Sequence, residues 1–222
     1  MISKSLELSD YPDIAPGVGV VNYGIAEALG DNVSVYIPHP HRMWEYGSAV
    51  TAYLNLFGEA PTNVLDIGCG RSPLGPGLAA KTGATVTEID PDTRLLEQRG
   101  SGSKRHFQVG DLLTLPTVPT YDAIFCISVI EHIPEADQYK AWETLATRLN
   151  PGGLLFVSTD FGPSADVPWQ ADTERVFKFD PTRVAVVEAW LKHWGLTLQM
   201  DTTFHGPLVY DYTFFRFVAT KQ

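Results

Sequence analysis

Asp66, Gly68 and Gly70 stand together in residues 64–72, V-L-D-I-G-C-G-R-S, and their order has the form of a nucleotide-binding turn. A short apolar run leads into an acid, and two glycines come after it. Glycine lets the backbone turn tightly and lets a ligand approach the main chain with no Cβ in the way. Ser72 and Pro73 can then open a helix, serine as its cap and proline in its first turn. Many strand-to-helix turns carry two glycines for packing alone. The turn by itself fits a ligand site and an ordinary connection equally well.

The next three strands favour the ligand site. Residues 84–90, A-T-V-T-E-I-D, read as a second buried strand that ends on Asp90, about 20 residues after the glycines. An acid there accepts hydrogen bonds from two ribose hydroxyls; the plainer alternative is a solvated strand-end acid. Glu88 has the same strand parity and is a lesser candidate. A third strand over 104–109 ends in Gly110-Asp111-Leu112. Asp111 suits an exocyclic amine such as adenine N6, or simply a Gly-Asp turn. A fourth strand, residues 121–128, runs into V-I-E-H-I, and a fifth, 154–158, comes after the turn N-P-G-G at 150–153. Strands alternating with helical segments imply right-handed crossovers and a parallel sheet.

Taken in order, V-L-D-I-G-C-G, V-T-E-I-D, V-G-D-L, Y-D-A-I-F-C-I-S-V-I-E-H-I and R-L-N-P-G-G-L-L-F-V resemble the motifs of class I S-adenosylmethionine-dependent methyltransferases, over roughly residues 62–160. The resemblance implies an α/β, doubly wound, Rossmann-like fold. Its seven-stranded, mostly parallel sheet would end in an antiparallel C-terminal hairpin, with helices on both faces. It implies S-adenosylmethionine as cofactor and S-adenosylhomocysteine as product. Asp66, Gly68, Cys69 and Gly70 would face the methionine part, Asp90 the ribose, and Asp111 with Leu112 the adenine. The main chain from Cys126 to Ser128 would line the methionine end. Two departures stand out. Ser72 takes the place of the family's third glycine, and Pro76-Gly77 interrupt the helix after it. The regular helix is expected to start near Pro76.

The chain has 222 residues, 44% hydrophobic and 19% charged, which suits one α/β domain with elaborations and a sizeable core. Its formal net charge is −10, and Lys and Arg form no run. Nucleic-acid substrates need positive surface, so they are disfavoured. An acidic surface fits a neutral, cationic or small-molecule acceptor. No secretory pattern opens the sequence, and no apolar run reaches bilayer length, so a cytoplasmic protein without a membrane partner is expected. Oligomeric state is left open. Cys69 and Cys126 are the two cysteines; they read as small packing residues, not as a disulfide or a zinc site.

Residues 1–60 read as an N-terminal cap on the acceptor side and 61–222 as the cofactor-binding domain, with a loop insertion near 159–180, together one compact unit. Segment 1–21 reads as irregular, 22–29 as a short helix, 33–37 as a short strand, and a helix is expected from about Trp44 to Phe57. Arg42, Trp44 and Tyr46 form either a lid that grips a flat or anionic substrate or a simple cap on the core. His39 and His41 lie two apart in a Pro-rich loop without a matching ligand set, so no metal is expected. The loop 159–180 carries Asp160, Phe161, Trp169 and Phe177 and is expected to shape the acceptor site. A helix over 181–194 precedes strands near 196–200 and 212–219, joined by a loop holding His205 and Tyr210. The helix at 134–149 turns Trp142, Leu145, Ala146 and Leu149 toward the core.

The resemblance implies an activated methyl group on a sulfonium. The protein must then align a nucleophile behind it; orientation is worth about 7–11 kcal/mol in favourable cases. Candidates for a general base are His132, and by position alone Asp160, His41 and His205. The expected reaction is transfer to an O or N nucleophile of a small-molecule acceptor. The alternatives are transfer to a protein side chain, and a protein that holds the cofactor without methyl transfer.

Overall fold

Near-continuous apolar runs, such as A-I-F-C-I and L-L-F-V, suit strands buried on both faces, and the computed structural model places them at the centre of one sheet. It describes residues 12–30, 40–60, 62–99, 102–162, 166–168, 175–177, 179–203 and 213–222. Helices α1 (Ala15–Gly30) and α2 (Pro40–Phe57) come first. They precede β1 (Asn63–Ile67), α3 (Leu74–Thr82), β2 (Thr85–Asp90), α4 (Leu95–Arg99) and β3 (Arg105–Val109). Then come β4 (Tyr121–Ile127), α5 (Glu135–Arg148) and β5 (Leu149–Phe161). The short strands β6 (Asp166–Pro168) and β7 (Arg175–Phe177) pair with each other. Helix α6 (Pro181–His193) and strands β8 (Leu196–Thr203) and β9 (Thr213–Lys221) complete the order.

Seven strands lie in the order β3-β2-β1-β4-β5-β9-β8. The first five are parallel, and β9 is antiparallel to both β5 and β8. This is the doubly wound, Rossmann-like sheet with an antiparallel C-terminal hairpin that the sequence implied. Strand order reverses between β1 and β4, so a crevice opens at their carboxyl ends, where ligands of open α/β sheets bind.

Strand side chains alternate between faces, and each face has its own helical layer. On one, Ile124, Cys126, Leu155, Val157 and Phe217 pack with Trp142 and Leu145 of α5 and Leu191 of α6. On the other, Ala123, Phe125, Phe156 and Val218 pack with Tyr46, Ala49 and Tyr53 of α2 and Leu74 and Leu78 of α3. The expected core face of the 134–149 segment is buried as read.

Several boundaries differ from the sequence reading. Residues 15–21 are helical, not irregular. Pro16 falls in the first turn of α1, where its missing N–H has no intrahelical partner to lose. Gly24 lets α1 lie against α3: a Cβ there would strike the Pro73 carbonyl and Gly77. Helix α2 begins at Pro40, before the expected Trp44, so His41 and Arg42 are helical. Helix α3 begins at Leu74, not near Pro76; its proline also lies in the first turn, and the Gly77 amide still donates to the Pro73 carbonyl at 3.1 Å. Strand β5 begins at Leu149 and runs on to Phe161, because it pairs over eight residues with β9. The 159–180 segment is therefore partly strand. The strand read at 33–37 lies outside the described residues.

Candidate functional site

The glycine turn leaves β1 at the crevice. Gly68 and Gly70 have φ of +63° and +47°, in the left-handed region that glycine enters without penalty. A Cβ on Gly68 would strike Val129, whereas one on Gly70 would meet nothing within 4 Å. The Gly68 and Cys69 amides both donate to the Ile89 carbonyl, at 2.7 and 3.1 Å. The Gly70 amide donates to Asp90 Oδ2 at 2.9 Å. Asp90 Oδ1 accepts the Asp92 amide, also at 2.9 Å. A carboxylate offers about four lone-pair sites, so one on each oxygen stays available to a diol.

Asp66 lies under this turn, 3% exposed, and its Oδ2 is buried with no hydrogen-bond partner. Burial pushes its carboxyl well above the usual range, and the charges of Glu88 and Asp90 add to that. A buried acid with an orphaned oxygen thus stands on β1 two residues before Gly68. Glu88, the lesser ribose candidate, is instead engaged with Arg99 and Arg105 in a buried ion-pair cluster.

Asp111 lies just past β3 and is exposed. Its Oδ1 caps a 3-10 turn, accepting the Leu113 amide at 2.7 Å. Leu112 is buried in the core beside Ile89. Cys126 is opposite Ile67 in the β1–β4 register, and Cys69 lies two residues past β1, not on it. Both thiols are free and buried, and burial pushes both well above their usual range.

Helix α2 meets the carboxyl ends of β4 and β5 through Glu45. Glu45 is fully buried there. Its Oε1 accepts from Ser128 Oγ at 2.8 Å and from Ser158 Oγ at 2.6 Å, and its Oε2 accepts from Arg42 Nη1 at 2.8 Å. Arg42 also donates to Ser128 Oγ. Ser128 has a φ of +52°, unusual for a residue with a side chain. Of the three residues read as a lid, Arg42 reaches the strand ends. Trp44 packs with Ile14, Val18 and Phe214, and Tyr46 joins the α2 face of the core. Trp169, His39, His205 and Tyr210 lie outside the described residues.

His132 is exposed in the turn after β4, and Asp160 is 6% exposed near the end of β5. The sequence reading passed over a third ionisable group at this edge, Glu131. It is 1% exposed, and its Oε2 has no hydrogen-bond partner. Burial raises its carboxyl well above the usual range, and the Asp160 charge raises it further. Glu45 was missed too. Its signal was a charged residue on the same α2 face as Ala49 and Ala52.

A cavity of about 450 Å³ lies elsewhere, between α2 and β9, lined by Ser48, Thr51, Leu154, Arg216 and Val218 among others. It includes neither the glycine turn nor Asp90. Among the described residues, no group of three or more His, Cys, Asp or Glu side chains gathers as a metal site, and His41 stacks on Phe214 at 4.9 Å. No helix among them is long and apolar enough to cross a membrane.

A family model described as a methyltransferase domain matches residues 41–207. A ubiquinone biosynthesis O-methyltransferase of Xylella fastidiosa (strain 9a5c) is 36% identical over 154 residues, 61% of this chain and 61% of that enzyme. The chain thus aligns with less than two thirds of that relative's length. The enzyme of the same description from Xanthomonas euvesicatoria pv. vesicatoria (strain 85-10) is 30% identical over 190 residues, 78% of this chain and 75% of its own. Among solved structures, the Burkholderia thailandensis 1,6-didemethyltoxoflavin-N1-methyltransferase, with bound 1,6-didemethyltoxoflavin and S-adenosylhomocysteine, matches with a TM-score of 0.61 at 14% identity. That match covers 100% of this chain and 93% of that one, and it is a likeness of fold. With three quarters of its length matched by the family model and the crevice in place, the chain belongs to the methyltransferase domain family.

Proposed function

We propose that this protein transfers a methyl group from S-adenosylmethionine to an oxygen or nitrogen nucleophile of a small-molecule acceptor. The observation that carries this is the crevice at the β1–β4 switch point. There the Asp90 carboxylate is held against the Gly70 amide, and the orphaned Asp66 oxygen lies beneath. Asp90 would take the ribose diol and the free oxygen of Asp111 the adenine amine. Asp66 and the main chain of Gly68, Cys69 and Gly70 would face the methionine part, with Cys126 to Ser128 along its far side. S-adenosylmethionine, when bound, supplies an activated methyl group on a sulfonium.

The N-terminal helices act as the acceptor-side cap. Arg42 lies at the ends of β4 and β5 and binds the acceptor, while Trp44 and Tyr46 fix its helix; Trp169 is a further acceptor contact. Asp160, near the end of β5, and His132, in the turn after β4, would accept a proton from the nucleophile. The small-molecule reading is supported by relatives named for ubiquinone biosynthesis and by a structural neighbour holding 1,6-didemethyltoxoflavin. Nucleic acid and membrane are not partners in this reading, and the protein works in the cytoplasm.

The test is transfer of radiolabelled methyl from S-adenosylmethionine to a panel of phenols, catechols and heteroaromatic amines. Label in a small-molecule fraction supports the proposal. Label in added protein alone, or none across the panel with a cofactor-binding enzyme, contradicts it.

A further inference from the structure

Beneath the cofactor-side turn lies a buried ion pair that methyl transfer does not itself use. Arg99 closes α4 and Glu88 lies on β2, and neither side chain is exposed. Arg99 donates through Nη2 to Glu88 Oε1 and through Nη1 to the Ser72 carbonyl, the latter at 2.8 Å. Arg105 donates to Glu88 Oε2 at 3.4 Å and to the Arg99 carbonyl at 2.9 Å. Gly75 passes directly over this carboxylate, and a Cβ there would strike Glu88 Oε1.

Ser72 stands where the resembling family has its third glycine, and all of its polar groups are engaged. Its amide donates to the Cys69 carbonyl at 2.9 Å, and its hydroxyl accepts the Leu74 amide at 3.1 Å. Its carbonyl is the group that Arg99 holds. The guanidinium thus ties the far end of the turn to β2, the strand that presents Asp90.

Fold stability does not account for such a pair, because well-packed apolar residues of similar volume often serve as well or better. We propose that Arg99 is a positioning residue for the cofactor. By holding the Ser72 carbonyl it fixes residues 69–72, and with them the Gly70 amide that meets Asp90. This rests on the crevice being the S-adenosylmethionine site.

The experiment compares wild type, R99K and the double variant R99M/E88L by calorimetric titration with S-adenosylhomocysteine and by thermal unfolding. The double variant removes both charges of the pair together; Arg105, 11% exposed, loses its 3.4 Å contact with Glu88 but keeps the main-chain carbonyl of residue 99. We expect it to unfold near the wild-type midpoint yet bind about tenfold more weakly, the scale of one charge-assisted hydrogen bond. R99K keeps the charge but lacks the planar fork that spans two acceptors, so its affinity falls as well. Wild-type affinity in R99K overturns the inference, whether or not the double variant folds. So does a double variant that recovers midpoint and affinity together, since that marks a purely structural pair. A wild type that does not bind overturns the cofactor reading and this inference with it; binding by wild type with R99K unchanged overturns this inference alone.

Discussion

The Asp90 carboxylate accepts the Gly70 amide across the β1–β2 edge, with 2.9 Å between Oδ2 and nitrogen. The acid is thus aimed at the glycine turn. Asp90 Oδ1 is held at the same time by the Asp92 amide. Two backbone donors fix the carboxylate plane.

Gly70→Ala separates the turn's backbone from its ligand space. At a φ of +47° an L-residue is strained by about 1–2 kcal/mol. A Cβ there meets no protein atom within 4 Å, so the fold loses little beyond that. In the proposed cofactor site that open space would hold the ligand, and we expect S-adenosylhomocysteine affinity to fall by more than the stability does. Gly68→Ala should lose more stability, because its Cβ strikes Val129. Urea unfolding and calorimetry on both variants check the contrast; full affinity in Gly70→Ala contradicts it.

Asp66 makes stability depend on pH. Its native carboxyl titrates well above the usual range, so the native state holds a proton that the unfolded chain has lost. The associated stability is fully present below the ordinary carboxylate range, and it drains away as pH rises through the raised value. Asp66→Asn removes this slope. We expect the variant to gain on wild type in unfolding midpoint as pH rises from about 4 toward 9. Parallel curves contradict the buried, uncompensated acid. Glu131→Gln should shift in the same direction, since Glu131 is raised by the same cause.

Glu45 holds Ser128, Ser158 and Arg42 at once. Glu45→Ala takes an acceptor away from the buried Ser158 hydroxyl, the half-buried Ser128 hydroxyl and the partly exposed Arg42, a loss of about 1–3 kcal/mol. Glu45→Gln keeps an acceptor and should lose less. Chemical denaturation orders the two, and an Ala variant no weaker than a surface substitution contradicts the network.

The geometry of the glycine turn and Asp90 was legible because its grammar is local. Asp66, Gly68 and Gly70 fall within five residues, and Asp90 ends the next strand, so strand parity and glycine placement carry the geometry. The Glu45 cluster was not legible, because α2 brings it together from afar. Glu45 lies 83 residues from Ser128 and 113 from Ser158, and no pattern in a single segment joins them. Helix starts were misread where prolines fell in first turns. Pro16, Pro40 and Pro76 looked like breakers, although an N-terminal turn has no use for the N–H they lack. Strand β5 outran its expected end because β9, distant in sequence, pairs with it through Phe161.

Calorimetric titration with S-adenosylhomocysteine, run on wild type and on Asp90→Ala, tests the cofactor site most directly. Wild type should bind, and its unfolding midpoint should rise with ligand, by about 2.7 kcal/mol of stabilisation at 100 times the dissociation constant. Asp90→Ala should fold and lose most of that binding. A wild type that shows neither heat nor midpoint shift, or a variant that binds as tightly as wild type, would contradict the assignment of Asp90 and the Gly70 turn as the cofactor cradle.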